Sequence, residues 1–336
     1  MAFRDREPFL AFGGKIDPLS EIRNAGIVTS GDVFWVKAPG DTAYTTVKDA
    51  VGAGVLRDDI QAAVDLTASD ENDVVFVAPR DVGTPWGLGT ALDLNEDRIH
   101  LIALGYNAKP GRTYSALIEG SYGTSPDTEV VAVTGQAVEI AGFNIRGTLG
   151  TDAGGTMSNA VLFLGTASTG TAHDLWVHNC TISINAAQGT PPLVAGLLAA
   201  DVRFEDVLFD ADVASNIQGV LFPASAPRWE FHNCRFLKQA QAVGDQFAVS
   251  GTGAIGYHLF KDCTFLNRTN GTAIASAVTG SVTVATNGIL MQNCSYLNVT
   301  EAGTDPGVFV VPAQSGTSAR VVDPGLAIGS AALVAN

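Results

Sequence analysis

Apolar residues recur along this chain with a spacing that fits neither a helix nor a plain strand. Four phrases share the pattern: "VHNCTISI" (177–184), "FHNCRFLK" (231–238), "FKDCTFLN" (260–267) and "MQNCSYLN" (291–298). Two more copies, "FEDVLF" (204–209) and "VEIAGF" (138–143), carry it without cysteine, and "LIALGY" (101–106) reads as an earlier copy with Leu104 in the cysteine's place. Aligned on that place, Ala141, Cys180, Val207, Cys234, Cys263 and Cys294 form one column, 27 to 39 residues apart. The column three before it is apolar throughout (Val138, Val177, Phe204, Phe231, Phe260, Met291), and so is the column two after it (Phe143, Ile182, Phe209, Phe236, Phe265, Tyr296). A strand alternates with period two, so a gap of three between inward positions requires one residue to absorb a bend. That residue is Asn179, Asp206, Asn233, Asp262 or Asn293, with Ile140 in the earliest copy. Asn and Asp are the non-glycine types that most readily take the left-handed conformation such a corner needs. These five therefore predict a structural corner ladder, with His232 outward and Phe231, Cys234 and Phe236 inward.

A unit of about 27 residues that buries its apolar face only against copies of itself is one coil of a solenoid. Short strands without helical periodicity between them specify an all-β fold, a right-handed parallel β-helix of about seven or more coils. At roughly 4.8 Å per coil it makes a prism about 35 Å or more long. Before the coils, Leu56, Ile60, Ala63 and Val64 fall at helical spacing with Asp58 and Asp59 at the start, which predicts a capping helix near 57–68 over the open end of the core. The expected division is 1–45 as an N-terminal docking segment and lead-in strand, 46–300 as the β-helix, and 301–336 as a C-terminal cap or interface tail.

Composition agrees with many strands and tight turns: 46% hydrophobic, 16% charged, 37 glycines. The formal charge of −15 argues against direct nucleic-acid binding, which needs clustered Lys and Arg. No stretch approaches the roughly 18 apolar residues of a membrane helix, and no signal-peptide core is visible, so neither membrane insertion nor secretion by that route is expected. The four cysteines, Cys180, Cys234, Cys263 and Cys294, lack zinc-site spacing and point inward, so they are expected as buried free thiols behaving as small hydrophobes.

The capping "IQAAVDL", the following "VVFVAP" and the repeated "F-x-N-C-x-F" coils resemble the right-handed parallel β-helix (pectate-lyase-like) superfamily over roughly residues 31–300. The opening "GDVFWVKAPGDTAYTTVKDAV" (31–51) is also similar to the start of β-helix proteins from the virions of tailed bacteriophages. The resemblance implies a fold shared by polysaccharide lyases, glycoside hydrolases, tailspikes and non-enzymatic virion proteins, so function must be argued from sites. Lyases of the superfamily use calcium held by an acidic cluster beside a basic residue, and its hydrolases use paired carboxylates.

The local match is "DVRFEDVLFDAD", which gathers Asp201, Arg203, Glu205, Asp206, Asp210 and Asp212. Glu205, Asp206 and Asp210 are the catalytic candidates, set against a plainer reading as corner, outward strand position and solvated turn. The outward positions Glu139, His178, Glu205, His232, Lys261 and Gln292 read as neighbours on adjacent coils, either a proton-transfer pair or cross-coil charge pairs on a wet face. "GTGAIG" (251–256) leads into a strand phrase and so lacks the helix of a dinucleotide site. With no convincing catalytic constellation, no metal and no cofactor, the expectation is a non-enzymatic phage virion protein, capsid-decorating or tail-associated, assembled in the host cytoplasm. Residues 1–30 and the C-terminal tail are expected to meet other virion proteins, and the protein to be a homo-oligomer, trimers being frequent among such subunits. The first alternative is a tailspike-like depolymerase or lyase acting on host surface glycans, with Trp176 and Trp229 as aromatic platforms. The second is a carbohydrate-binding β-helix without turnover.

Overall fold

The computed structural model describes residues 31–81, 84–88, 90–104, 116–122, 129–149, 160–165, 172–184, 192–197, 199–214, 219–222, 228–239, 247–250, 258–268, 274–279, 289–303, 308–311, 327–328 and 331–332. The N-terminal docking segment 1–30, the "GTGAIG" turn and most of the C-terminal tail lie outside them. Three parallel sheets of 11, 8 and 8 strands run the length of the chain. Each strand pairs with its counterpart one coil away, as Phe204 lies opposite Phe231 and Phe231 opposite Phe260. The chain is thus a parallel β-helix. One continuous core runs inside it from Phe34 to Val299, with Cys294 and Tyr296 packed on at the far end.

The repeated aromatics fill that core as two columns. Phe204, Phe231 and Phe260 stack face to face at 5.0 and 4.5 Å. Phe209, Phe236 and Phe265 do so at 4.6 and 4.8 Å. The columns meet edge to face, Phe204 on Phe209 at 5.5 Å and 66°, an arrangement that satisfies the ring quadrupoles between the two columns. Cys180, Cys234 and Cys263 are buried beside them and Cys294 is half-buried, all four with free thiols.

The corners follow from backbone conformation. Asn179, Asp206, Asn233, Asp262 and Asn293 take φ of 52 to 56°, and Asn233 donates its side-chain amide to Asp206 as Asn293 does to Asp262. A second ladder at the other end of the first-sheet strands has the same conformation: Asn72, Arg98, Ala137, Asp174, Asp201 and Arg228, with φ of 53 to 59°.

The earliest copy departs from the expected alignment. Ile140, not Val138, lies opposite Val177, and Ala141 lies opposite His178. Gly142, with φ of 79°, makes the corner assigned to Ile140, and Ile145 takes the place opposite Ile182 expected for Phe143. The segment Val138–Phe143 is apolar in both registers, and a glycine meets the corner's demand for positive φ without cost, so Gly142 decides the register. Leu104 also differs, for it packs against an outer cluster rather than the core.

That outer cluster explains the first coils. The cap is shorter than expected: helix α2 (Ile60–Val64), N-capped by Asp59 accepting from the Ala62 amide at 3.2 Å, puts Ile60, Ala63 and Val64 into the core. A preceding helix, α1 (Tyr44–Val51), lies on the outside of the first sheet, where Val47 packs with Trp35, Val74 and Phe76, flanked by Ile102 and Leu104. Covered on both faces, the strand Val74–Val77 is buried at every position.

Candidate functional site

Beyond α1 the outer face of the first sheet turns polar. One outward column runs Val74, His100, Glu139, Trp176, Arg203 and Glu230. The other runs Ala141, His178, Glu205, His232, Lys261 and Gln292. Parallel pairing sets axial neighbours about 4.8 Å apart, so the corrected register places Glu139 between His100 and Trp176.

Glu139 bridges two histidines. Its Oε2 meets His100 Nδ1 at 2.5 Å and its Oε1 meets His178 Nε2 at 2.7 Å. Burial alone would push this carboxyl up, but the hydrogen bonds from His100 and His178 outweigh it and hold it at about 2. On the far side of His178, Asn179 donates its Nδ2 to Nδ1 at 2.9 Å. Trp176 stacks on the His178 ring at 4.1 Å and 25° while leaving 40% of its surface to solvent. His100 Nε2 has no hydrogen-bond partner among the described residues. An imidazole held by a carboxylate at Nδ1 and open at Nε2 is the arrangement of a general base.

The other candidates are scattered. Glu205 faces out and pairs with Arg203 at 3.0 Å. Asp206 is a corner engaged by Asn233, and Asp210 lies past that corner on the strand Leu208–Ala214 of the second sheet. Asp201 is a corner on the other side, bound to Arg228. Asp212 is on the Asp210 strand. The proposed acidic cluster is therefore split across two sheets and two corners. Trp229 is no platform: it is fully buried and donates Nε1 to the Ala199 carbonyl at 3.0 Å. His232 pairs with Glu230 on its own strand at 2.8 Å. Among the described residues no group of three or more His, Cys, Asp and Glu is placed to hold a metal ion. The repeat hides His100, because Val138–Phe143 fits it in two registers and only the one set by the positive φ of Gly142 places His100 beside Glu139.

No protein-family model and no curated protein matches the chain. Solved structures do. The pectin methylesterase from Aspergillus niger, in deglycosylated form, is similar over 91% of this chain and 93% of its own at 13% identity, with a TM-score of 0.48. Pectate lyase Pel9A is similar over 85% and 80% at 9% identity, TM-score 0.44. ORF18 of Geobacillus virus E2 is similar over 76% and 56% at 13% identity, TM-score 0.31. The expectation of a non-enzymatic chain is corrected at this point. Its ground, the lack of a catalytic constellation, goes once the fold sets Glu139 between His100 and His178.

Proposed function

We propose that the chain is a tailspike-like enzyme that acts on polysaccharide, with host surface glycans as its substrates. The observation that carries this reading is the Glu139 bridge beside the exposed Trp176. Glu139 orients His100, whose Nε2 takes a proton; Trp176, two coils away and so about 10 Å along the axis, offers a flat apolar surface to a sugar ring. Beyond Trp176 the face continues through Arg203, Glu205, Glu230, His232 and Lys261, a row of hydrogen-bonding groups for further sugars.

In hydrolysis the base takes a proton from the attacking water, in elimination from a sugar carbon, the glycosidic oxygen leaving with a proton in both, and the products differ. Hydrolysis leaves a new reducing end alone, whereas elimination also leaves an unsaturated sugar. Incubating the protein with pectin and with host capsule and outer-membrane glycans, and measuring both kinds of end, tests the reading. Turnover of at least one polymer supports it, and inertness toward all of them overturns it. Display on a phage particle is part of the proposal, with residues 1–30 and 301–336 as contacts to other virion proteins, and detection of the chain in purified particles is its check.

A further inference from the structure

The corner ladder contains one member that does something different. Asn233 and Asn293 spend their side-chain amides on the corner residue of the preceding coil, Asp206 and Asp262. Asn179 instead gives its Nδ2 to the ring of the residue before it, His178, at 2.9 Å. An amide NH2 can only donate, so His178 Nδ1 must accept, and the one proton of a neutral imidazole then sits on Nε2. There it meets Glu139 Oε1 at 2.7 Å.

We infer that Asn179 is a positioning residue of the proposed site, which holds His178 as a neutral donor to Glu139 and so leaves His100 as the histidine with a nitrogen to spare. Both nitrogens of His178 are occupied, one by Asn179 and one by Glu139. Glu139 in turn has one oxygen on each ring, so its second oxygen keeps the His100 proton on Nδ1 and the lone pair on Nε2. The charged groups facing His178 are Glu139 on the preceding coil and Glu205 on the following one, the latter paired with Arg203; Trp176 covers its ring. The inference rests on the reading of His100 as the base, but its test needs no substrate.

The test is a ¹⁵N spectrum of the full chain labelled at its five histidines, with His178→Gln to assign the resonances, for the wild type, Asn179→Gly and Asn179→Asp. Glycine is tolerated at this corner, since Gly142 occupies it one coil earlier with positive φ, so Asn179→Gly is expected to melt where the wild type does. At pH 7 the wild type should show His178 protonated at Nε2 and bare at Nδ1. Asn179→Gly should keep the Nε2 proton and move Nδ1 toward the value of a nitrogen without a donor. Asn179→Asp turns the donor into an acceptor and should add a proton at Nδ1. A wild-type His178 protonated at Nδ1, or an Asn179→Asp spectrum unchanged from wild type, overturns the inference. Absence of turnover on every glycan overturns the proposed function and leaves this result standing.

Discussion

Glu139 Oε1 and His178 Nε2 lie 2.7 Å apart across 39 residues of sequence, and the contact exists because Ile140 pairs with Val177. One register therefore sets both the core and the outer site.

Replacing Glu139 by Gln should change the acid stability of the protein. Glu139 is held at about 2 against an ordinary 4.5, so its contribution is full above pH 4.5 and is lost as pH falls toward 2. The 2.5-unit gap corresponds to at most about 3 kcal/mol. Urea unfolding from pH 6 to 2 should show wild type and Glu139→Gln converging toward the acid end; parallel curves would count against the bridge.

His258 should act in a higher window. It is buried, accepts the Trp229 amide on Nδ1 at 3.2 Å, and burial pulls it down from 6.5 to about 3. The folded state resists a proton that the unfolded chain accepts, so stability is full above pH 6.5 and declines as pH falls from there toward 3. His258→Leu should be less stable at pH 7.5, having lost the acceptor for Trp229, by about 1–3 kcal/mol. Its stability should also decline less steeply between pH 6.5 and 4.5, where Glu139 is silent.

Phe231 stands at the centre of the aromatic columns, stacked on Phe204 and Phe260, edge-on to Phe209 and tilted against Phe236. Phe231→Ala should cost about 3–5 kcal/mol, since a rigid ladder collapses poorly around a cavity. Leu297, 55% exposed at the end of the helix, should accept Ser within about 0.5 kcal/mol. Denaturant midpoints of the two variants check the contrast.

The polar face stops at His100. Its next neighbour toward the N-terminus, Val74, lies with Trp35 and Phe76 under α1, so a glycan bound as proposed would extend only toward the C-terminal coils. Digestion of a long polymer should accordingly release short products from the start while viscosity falls slowly. A rapid viscosity drop before short products appear would mean that the chain crosses this end of the face.

Much of the fold was legible because it is written in side-chain chemistry repeated coil after coil. Asn and Asp mark one corner, and Phe and Cys mark the core. The other corner was hidden because Arg98, Ala137 and Arg228 hold positive φ without being residues that favour it, at a cost of about 1–2 kcal/mol each relative to glycine. Ala137→Gly should recover part of that as a higher melting temperature. Helix α1 was hidden for another reason. "VFWV" and "VVFV" are apolar at every position, a pattern that shows burial of both faces without naming what covers the outer one. The site was obscured by the two-residue ambiguity at Val138–Phe143, which moved Glu139 off its true neighbours.

The most direct measurement is the rate at which His100→Gln forms new polysaccharide ends relative to wild type, with both proteins shown to melt alike. Loss of an oriented general base should slow the reaction by about 100-fold or more. Equal rates from the two proteins would contradict the assignment of the chemistry to His100 and Glu139.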